Sequence, residues 1–345
     1  MTKPFGASSI INQHISEADF HAYFVGFDFN VFRYDALVEL LLNAVVDFSF
    51  GYHEGIVTSA HNRRMLVDAA KSIYKIKLQT DKGEKEVFKE AKKVYVENNS
   101  EIKDDDEFLK RGEFGELILH VLLRDFVKTV PLLSKIYFKD TYGMTVHGFD
   151  GVHIGPSLIK KNENSLYLGE SKLYNDGKQG VSELLKDVQH HFNLDFLNQE
   201  FNLISRKNKF IDEDEYKNQN TKEEYQEFLT QKEEWFSKLK KVQTNEIKMQ
   251  DFLQSVTIPL LCTYSSKVFS NNKDEKTDLF KKEYEEEVKK IKEEFDKKLS
   301  FIKKQSKRND PISTNLNIIL MLFPVPSKKE LIKKLHTKLY HQQLA

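Results

Sequence analysis

Two rhythms of apolar positions alternate along this chain. Near the N-terminus "AYFVGFDF" is a short apolar segment, and later "DFLQSVTIPLLCTY" and "NLNIILMLFPVP" carry continuous apolar runs that predict strands. Elsewhere the spacing is helical. One helix is predicted from about Asp35 to Phe48, with Asp35 able to cap it. A second lies in "SAHNRRMLVDAAKSIYKI", where Met65, Leu66, Ala69 and Ile73 form a stripe. Arg63 and Arg64 lie near its start and read as a solvated face, with contact to phosphate or a partner as the alternative. "DDDEFLKRGEFGELILHVLLRDF" predicts a stronger helix, whose acidic first turn suits the positive end of the helix dipole. Within it Gly112 and Gly115 each cost roughly 0.5–1 kcal/mol relative to alanine, which points to close approach of another backbone.

The period then changes to two. "SKIYFKD", "HGFDGVHIG" and "SLYLGESKLY" predict three successive strands, with turns at "TYGM" and "PSLIKKNENS". "GKQGVSELLKDVQHHFNLDFLNQEF" returns to helical spacing through Val181, Leu184, Leu185, Val188 and Phe192. A last helix opens at Ser327 with Glu330 in capping-box register. The expected fold is α/β, in the order helix, three-strand meander, helix, strand. Residues 1–100 read as a mainly helical N-terminal region and 101–345 as the α/β domain, with helical insertions at about 206–250 and 273–308. The first insertion is rich in Lys, Glu, Asn and Gln, with Tyr225, Phe228, Leu229 and Phe236 as intermittent anchors, and predicts an exposed elaboration. In the second, Phe280, Tyr284, Val288, Ile291, Phe295, Leu299 and Ile302 align in one stripe, a long amphipathic helix that is core-packed or laced by solvent-facing charges, with a partner-binding or nucleic-acid-tracking helix as the alternative.

Composition narrows the function classes. Basic and acidic residues balance at 53 each, so a nucleic-acid partner has to be held by local patches or a metal site rather than by overall charge. Cys262 is the single cysteine, which leaves no internal disulfide and no cysteine metal cluster and fits a reducing cytosol. The start "MTKPFGASSI" lacks a secretory pattern, and the longest apolar runs are about half a membrane span, so a cytoplasmic protein with no membrane partner is expected. No phosphate-binding glycine loop, nucleophile elbow or HExxH occurs, which argues against an ATPase, an esterase or a zinc protease.

Candidate chemistry gathers in "SLYLGESKLY". On a strand, Leu166, Leu168, Glu170 and Lys172 share one face, so an acid and a base extend an apolar row. Burying such charges costs several kcal/mol, roughly, unless they are paired or bound to a metal. The pattern Glu-x-Lys alone means little in a chain 31% charged, and it recurs at Glu90, Glu101, Glu215, Glu246 and Glu287. Glu170 differs because it follows Asp150 in the strand before, and antiparallel pairing can bring both carboxylates to one Mg2+ or Mn2+ ion. Lys172 is then placed to orient an attacking water. Glu116, with Glu113 as the alternative, reaches the site from the preceding helix, where both share a face with His120. Lys178 and Gln179 just after the strand are possible substrate contacts. His147, Asp150 and His153 alternate across strand faces and are awkward for a shared ion; His190 and His191 point apart on a helix and are not read as ligands.

The segments "GEFGEL", "GFDGVH" and "GESK" resemble the PD-(D/E)xK nuclease superfamily: a helix glutamate, an acid on the second strand and acid-x-Lys on the third. Phe149 stands where that pattern has proline. The resemblance covers residues 108 to about 200 plus the strand near Val256. It implies a restriction-endonuclease-like core with Glu116, Asp150, Glu170 and Lys172 catalytic and the three acids as metal ligands. A narrower resemblance, in "LVDAAKSIY", "RGEFGELILHVLL", "GFDGVH", "LYLGESK" and "LIKKLH", is to the DUF1837 family. That family includes the nuclease-like subunit of the Hachiman anti-phage defence system. It implies a DNA nuclease kept inactive until a HamB-like helicase encoded alongside meets foreign or damaged DNA. The alternative is a catalytically silent subunit that scaffolds the helicase.

Overall fold

The computed structural model describes residues 6–51, 63–73, 112–133, 148–206, 223–307 and 310–344. Its strands are β1 (Ile11–Ser16), β2 (Phe20–Val25), a small hairpin of β3 (Phe27–Asp28) and β4 (Val31–Phe32), β5 (Val130–Pro131), β6 (Gly151–Pro156), β7 (Asn164–Tyr174), β8 (Val256–Ser265) and β9 (Asn317–Val325). Apart from the hairpin they form one seven-stranded mixed sheet in the order β1-β2-β9-β8-β7-β6-β5. The strands β2, β9, β8 and β7 run parallel, while β1 pairs antiparallel at one edge and β6 and β5 at the other. The first predicted strand, "SKIYFKD", its turn "TYGM" and His147 lie outside the described residues; the described strand preceding β6 is the short β5. The turn predicted at "PSLIKKNENS" does close the β6–β7 hairpin, with Ser157 N–H donating to the Glu163 carbonyl.

The N-terminal region is not only helical. β2 lies between β1 and β9 and every residue from Phe20 to Val25 is buried, so it shows no polar alternation to mark it as a strand. The helix predicted from Asp35 is two, α1 (Tyr34–Asn43) and α2 (Val45–Phe50). Arg33 holds the N-cap position of α1, and Asp35 stands in its first turn, where it acts through the dipole. α3 (Arg63–Ile73) buries Ala69, Ala70 and Ile73. α4 (Glu113–Leu122) runs on through a π-helical turn at Leu123–Val127.

The predicted helical run after β7 breaks into α5 (Gly177–His191) and α6 (Leu194–Arg206), because Asn193 Oδ1 accepts the Phe196 N–H at 2.9 Å and starts a new helix. α7 (Glu223–Gln243), α8 (Met249–Leu253), α9 (Val268–Asn271), α10 (Asp278–Gln305) and α11 (Lys328–Leu344) complete the helices. Ser327 Oγ accepts the Glu330 N–H at 3.2 Å, as the capping register predicts. α4 covers one face of the sheet and is extended by α1, α2, α3 and α11; α5 and α10 cover the other. α10 buries its predicted stripe from Phe280 to Phe295 and leaves the last two members, Leu299 and Ile302, half-buried. The insertion helix α7 is less exposed than expected, since it buries Trp235, Phe236 and Leu239 against α6 and α8; residues 207–222 lie outside the described set. No helix among the described residues is long and apolar enough to cross a membrane.

Candidate active site

β7 is buried from Ser165 to Ser171 because a helix covers each of its faces. α4 lies over Gly169, Ser171 and Leu173: a Cβ on Gly115 would sit 3.2 Å from Ser171 Oγ, and one on Gly169 would sit 2.8 Å from Leu119 Cδ2. The close approach expected from the helix glycines holds only at Gly115, where the neighbours are side chains of β7 rather than another backbone; Gly112, at the N-cap of α4, faces open space. Period-two alternation turns Glu170 and Lys172 to the opposite face, under α5. The Glu170 side chain is only 3% exposed, and that of Lys172 is 26% exposed.

The β6–β7 register pairs Gly151 with Gly169, so Asp150, one residue beyond the last pair, stands opposite Glu170. Asp150 Oδ2 accepts both the Ser171 N–H at 2.8 Å and the Ser171 hydroxyl at 2.9 Å, which fixes it at the strand end. From above, α5 supplies two partners. Lys172 pairs with Asp187. His191 Nδ1 is hydrogen-bonded to Glu170 Oε1 at 2.6 Å, with its ring stacked on Phe196 at 4.4 Å between centroids and edge-on to Phe149.

Burial, then the charges of Asp150 and Asp187, hold the Glu170 carboxyl well above the usual carboxylate range; Lys172 opposes the shift and Glu116 adds to it. Burial works against the Lys172 ammonium, yet the hydrogen bond and charge of Asp187, followed by Asp150 and Glu170, raise its pKa overall. Of the two helix acids Glu116 is therefore one whose charge is felt at Glu170, while Glu113 stands nearly a turn earlier at the start of α4. The charges of Asp150, Asp187 and Glu116 all reach Glu170, beside one ammonium and one imidazole, and leave an excess of negative charge. That donor set suits a hard divalent cation, which needs only one or two carboxylates besides its waters. Among the described residues no three His, Cys, Asp or Glu side chains converge as a ready-made cage, so the fit rests on the register that sets Asp150 across from Glu170 and on the charge of Asp150 felt at Glu170.

The sequence model of HamA matches residues 7–339. The chain belongs to the HamA family. The match takes in every described strand and all the candidate residues, so the resemblance carried by "LVDAAKSIY", "LYLGESK" and "LIKKLH" extends over nearly the whole molecule. Comparison with curated proteins finds no match.

Other sequence candidates fare differently in this HamA-family chain. Lys178 and Gln179 are exposed in the first turn of α5, where the Asp176 side chain caps the Gln179 N–H and Lys178 acts on Glu294 of α10. His153 is a satisfied core residue: it bonds Thr129 Oγ1 at 2.9 Å and His120 Nδ1 at 3.2 Å, and His120 in turn meets Asp47, which is paired with Arg124. His190 is exposed, whereas His191, set aside with it in the sequence, touches the acid at the centre of the site. Asp187 was missed altogether. The one signal for both was their spacing: residues 187 and 191 lie one turn apart on the helix that follows the acid-x-Lys strand.

Proposed function

We propose that this chain is a metal-dependent DNA endonuclease subunit of an anti-phage defence system, working with a helicase subunit encoded alongside it and hydrolysing phosphodiester bonds. The observation that carries this reading is Asp150 opposite Glu170, with Lys172 two residues on, at the buried centre of a strand backed by helices on both faces. An acid before β6, acid-x-Lys on β7 and helices on both faces support a restriction-endonuclease-like core, and HamA membership supports the defence setting. Asp150 and Glu170, with Glu116, would hold Mg2+ or Mn2+, which when bound supplies Lewis acidity and neutralises charge on the attacked phosphate. Lys172, aimed by Asp187, orients the attacking water and offsets developing negative charge. Lys178 and Gln179, exposed at the start of α5, are available to the DNA backbone. Zero net charge supports loading of DNA by the helicase rather than capture by this chain alone.

A second reading, a catalytically silent scaffold, is favoured by the pairing of both motif residues with α5. Supercoiled plasmid incubated with Mg2+ or Mn2+, with the chain alone and with its neighbouring helicase, separates the two. Metal-dependent nicking that needs the helicase and is lost in Lys172→Ala is expected; intact plasmid under every condition, with the two proteins still copurifying, leaves only the scaffold.

A further inference from the structure

The pairing between α5 and β7 has a geometric logic. Residues two apart on a strand are about 6.6 Å apart along it, and residues four apart on a helix about 6 Å. A helix running back antiparallel over a strand can therefore match an i, i+2 pair with an i, i+4 pair in reversed order. That is the order found: Glu170, earlier on β7, meets His191, later on α5, and Lys172 meets Asp187. The helix is seated closely enough to hold this register, because glycines at 177 and 180 let it lie against Tyr264 and Cys262 of β8. His191 is further fixed by stacking on Phe196 and by the edge of Phe149, the residue before Asp150.

We propose that Asp187 and His191 are the positioning residues of the site, His191 fixing the plane of the Glu170 carboxylate through one oxygen and Asp187 aiming the Lys172 ammonium. The proposal rests on the nuclease reading above. Outer-shell hydrogen bonds of this kind orient metal-ligating carboxylates, and their removal typically lowers metal affinity or activity by roughly 10–100-fold. The two residues act on different groups, so their loss has different signatures. His191 acts on a ligand: His191→Ala weakens Mn2+ binding about tenfold or more, and His191→Gln, which can still donate to the carboxylate, recovers part of it. Asp187 acts on the lysine: Asp187→Asn leaves Mn2+ affinity within about threefold but lowers the cleavage rate at saturating metal about tenfold or more, and Asp187→Glu recovers part of that.

The test is isothermal titration of Mn2+ into the full-length chain and each variant, with folding checked by circular dichroism, followed by cleavage of plasmid at saturating Mn2+ with the helicase present. The expected result is an affinity defect confined to His191→Ala and a rate defect without affinity loss in Asp187→Asn. If the wild-type chain binds Mn2+ and cuts while both variants match it, the positioning roles are overturned and the nuclease reading stands. If the wild-type chain takes up no Mn2+ and cuts nothing, the nuclease reading falls and the proposal falls with it.

Discussion

At the scale of single residues, a buried imidazole and a buried carboxyl in this chain answer acid in opposite senses. Burial, then the charge of His120, holds His153 well below the usual imidazole range. Below about pH 6.5 the unfolded chain therefore binds a proton that the native chain refuses, and the contribution of His153 to stability falls by up to about 1.4 kcal/mol per pH unit. Glu170 is the reverse. Its carboxyl is raised by burial and by Asp150, so above the ordinary glutamate range the native chain keeps a proton the unfolded chain has lost, and stability rises as pH falls through that window. Urea titrations in EDTA at pH 7.0 and 5.5 should show His153→Gln less acid-sensitive than wild type by up to about one proton, and Glu170→Gln more acid-sensitive. Equal slopes in all three proteins would contradict the burial argument. Glu170 and Lys172 were legible in the sequence because a charge in a period-two apolar row is conspicuous, and Asp150 because it is the acid in the strand immediately before. His191 and Asp187 were not, because their role exists only once a particular helix lies on a particular strand.

At the scale of elements, the site depends on how closely α5 seats on β8. A Cβ at Gly180 would run into Cys262 Sγ, a short buried side chain with little room to move. Gly180→Ala is predicted to lose about 1–3 kcal/mol in urea unfolding, the usual range for overpacking, and Cys262→Ala in the same chain should restore part of it. A Gly180→Ala protein as stable as wild type would mean that α5 is not held by this contact. α7 makes a parallel case. Its Trp235 is 2% exposed against Phe252 and neighbours, so Trp235→Ala should cost about 3–5 kcal/mol, measured the same way, where an exposed elaboration would lose almost nothing. Helical stripes such as that of α10 were readable because one face is wet and one dry. β2 was readable only as an apolar segment, since a strand buried on both faces leaves no rhythm, and the break between α5 and α6 hid behind spacing that Asn193 interrupts by a side-chain cap.

At the scale of the whole molecule, β1 and β2 close one side of the sheet, with β2 hydrogen-bonded to β9 and Tyr34 joined to Ser327 across the chain. A boundary at residue 100 is attractive in composition, yet it removes two strands from the sheet. Residues 101–345 expressed alone should be aggregated or unfolded, because the β9 edge and the apolar surface under Phe20, Ala22 and Val25 would be bared; a monodisperse, cooperatively melting fragment would contradict the single-sheet account. The central claim, that Asp150 and Glu170 are gathered for a cation rather than for stability, has a direct measurement in thermal melts of wild type and Glu170→Gln, in EDTA and in Mg2+. A structural carboxylate would leave a buried partner uncompensated when neutralised, at a cost of about 3–5 kcal/mol. An acid that feels the charges of three other carboxylates should instead be neutral or mildly stabilising to remove in EDTA, while the Mg2+ stabilisation expected of wild type disappears in the variant along with plasmid cleavage. A large drop in the Glu170→Gln melting temperature in EDTA, with the Mg2+ response unchanged, would contradict the account.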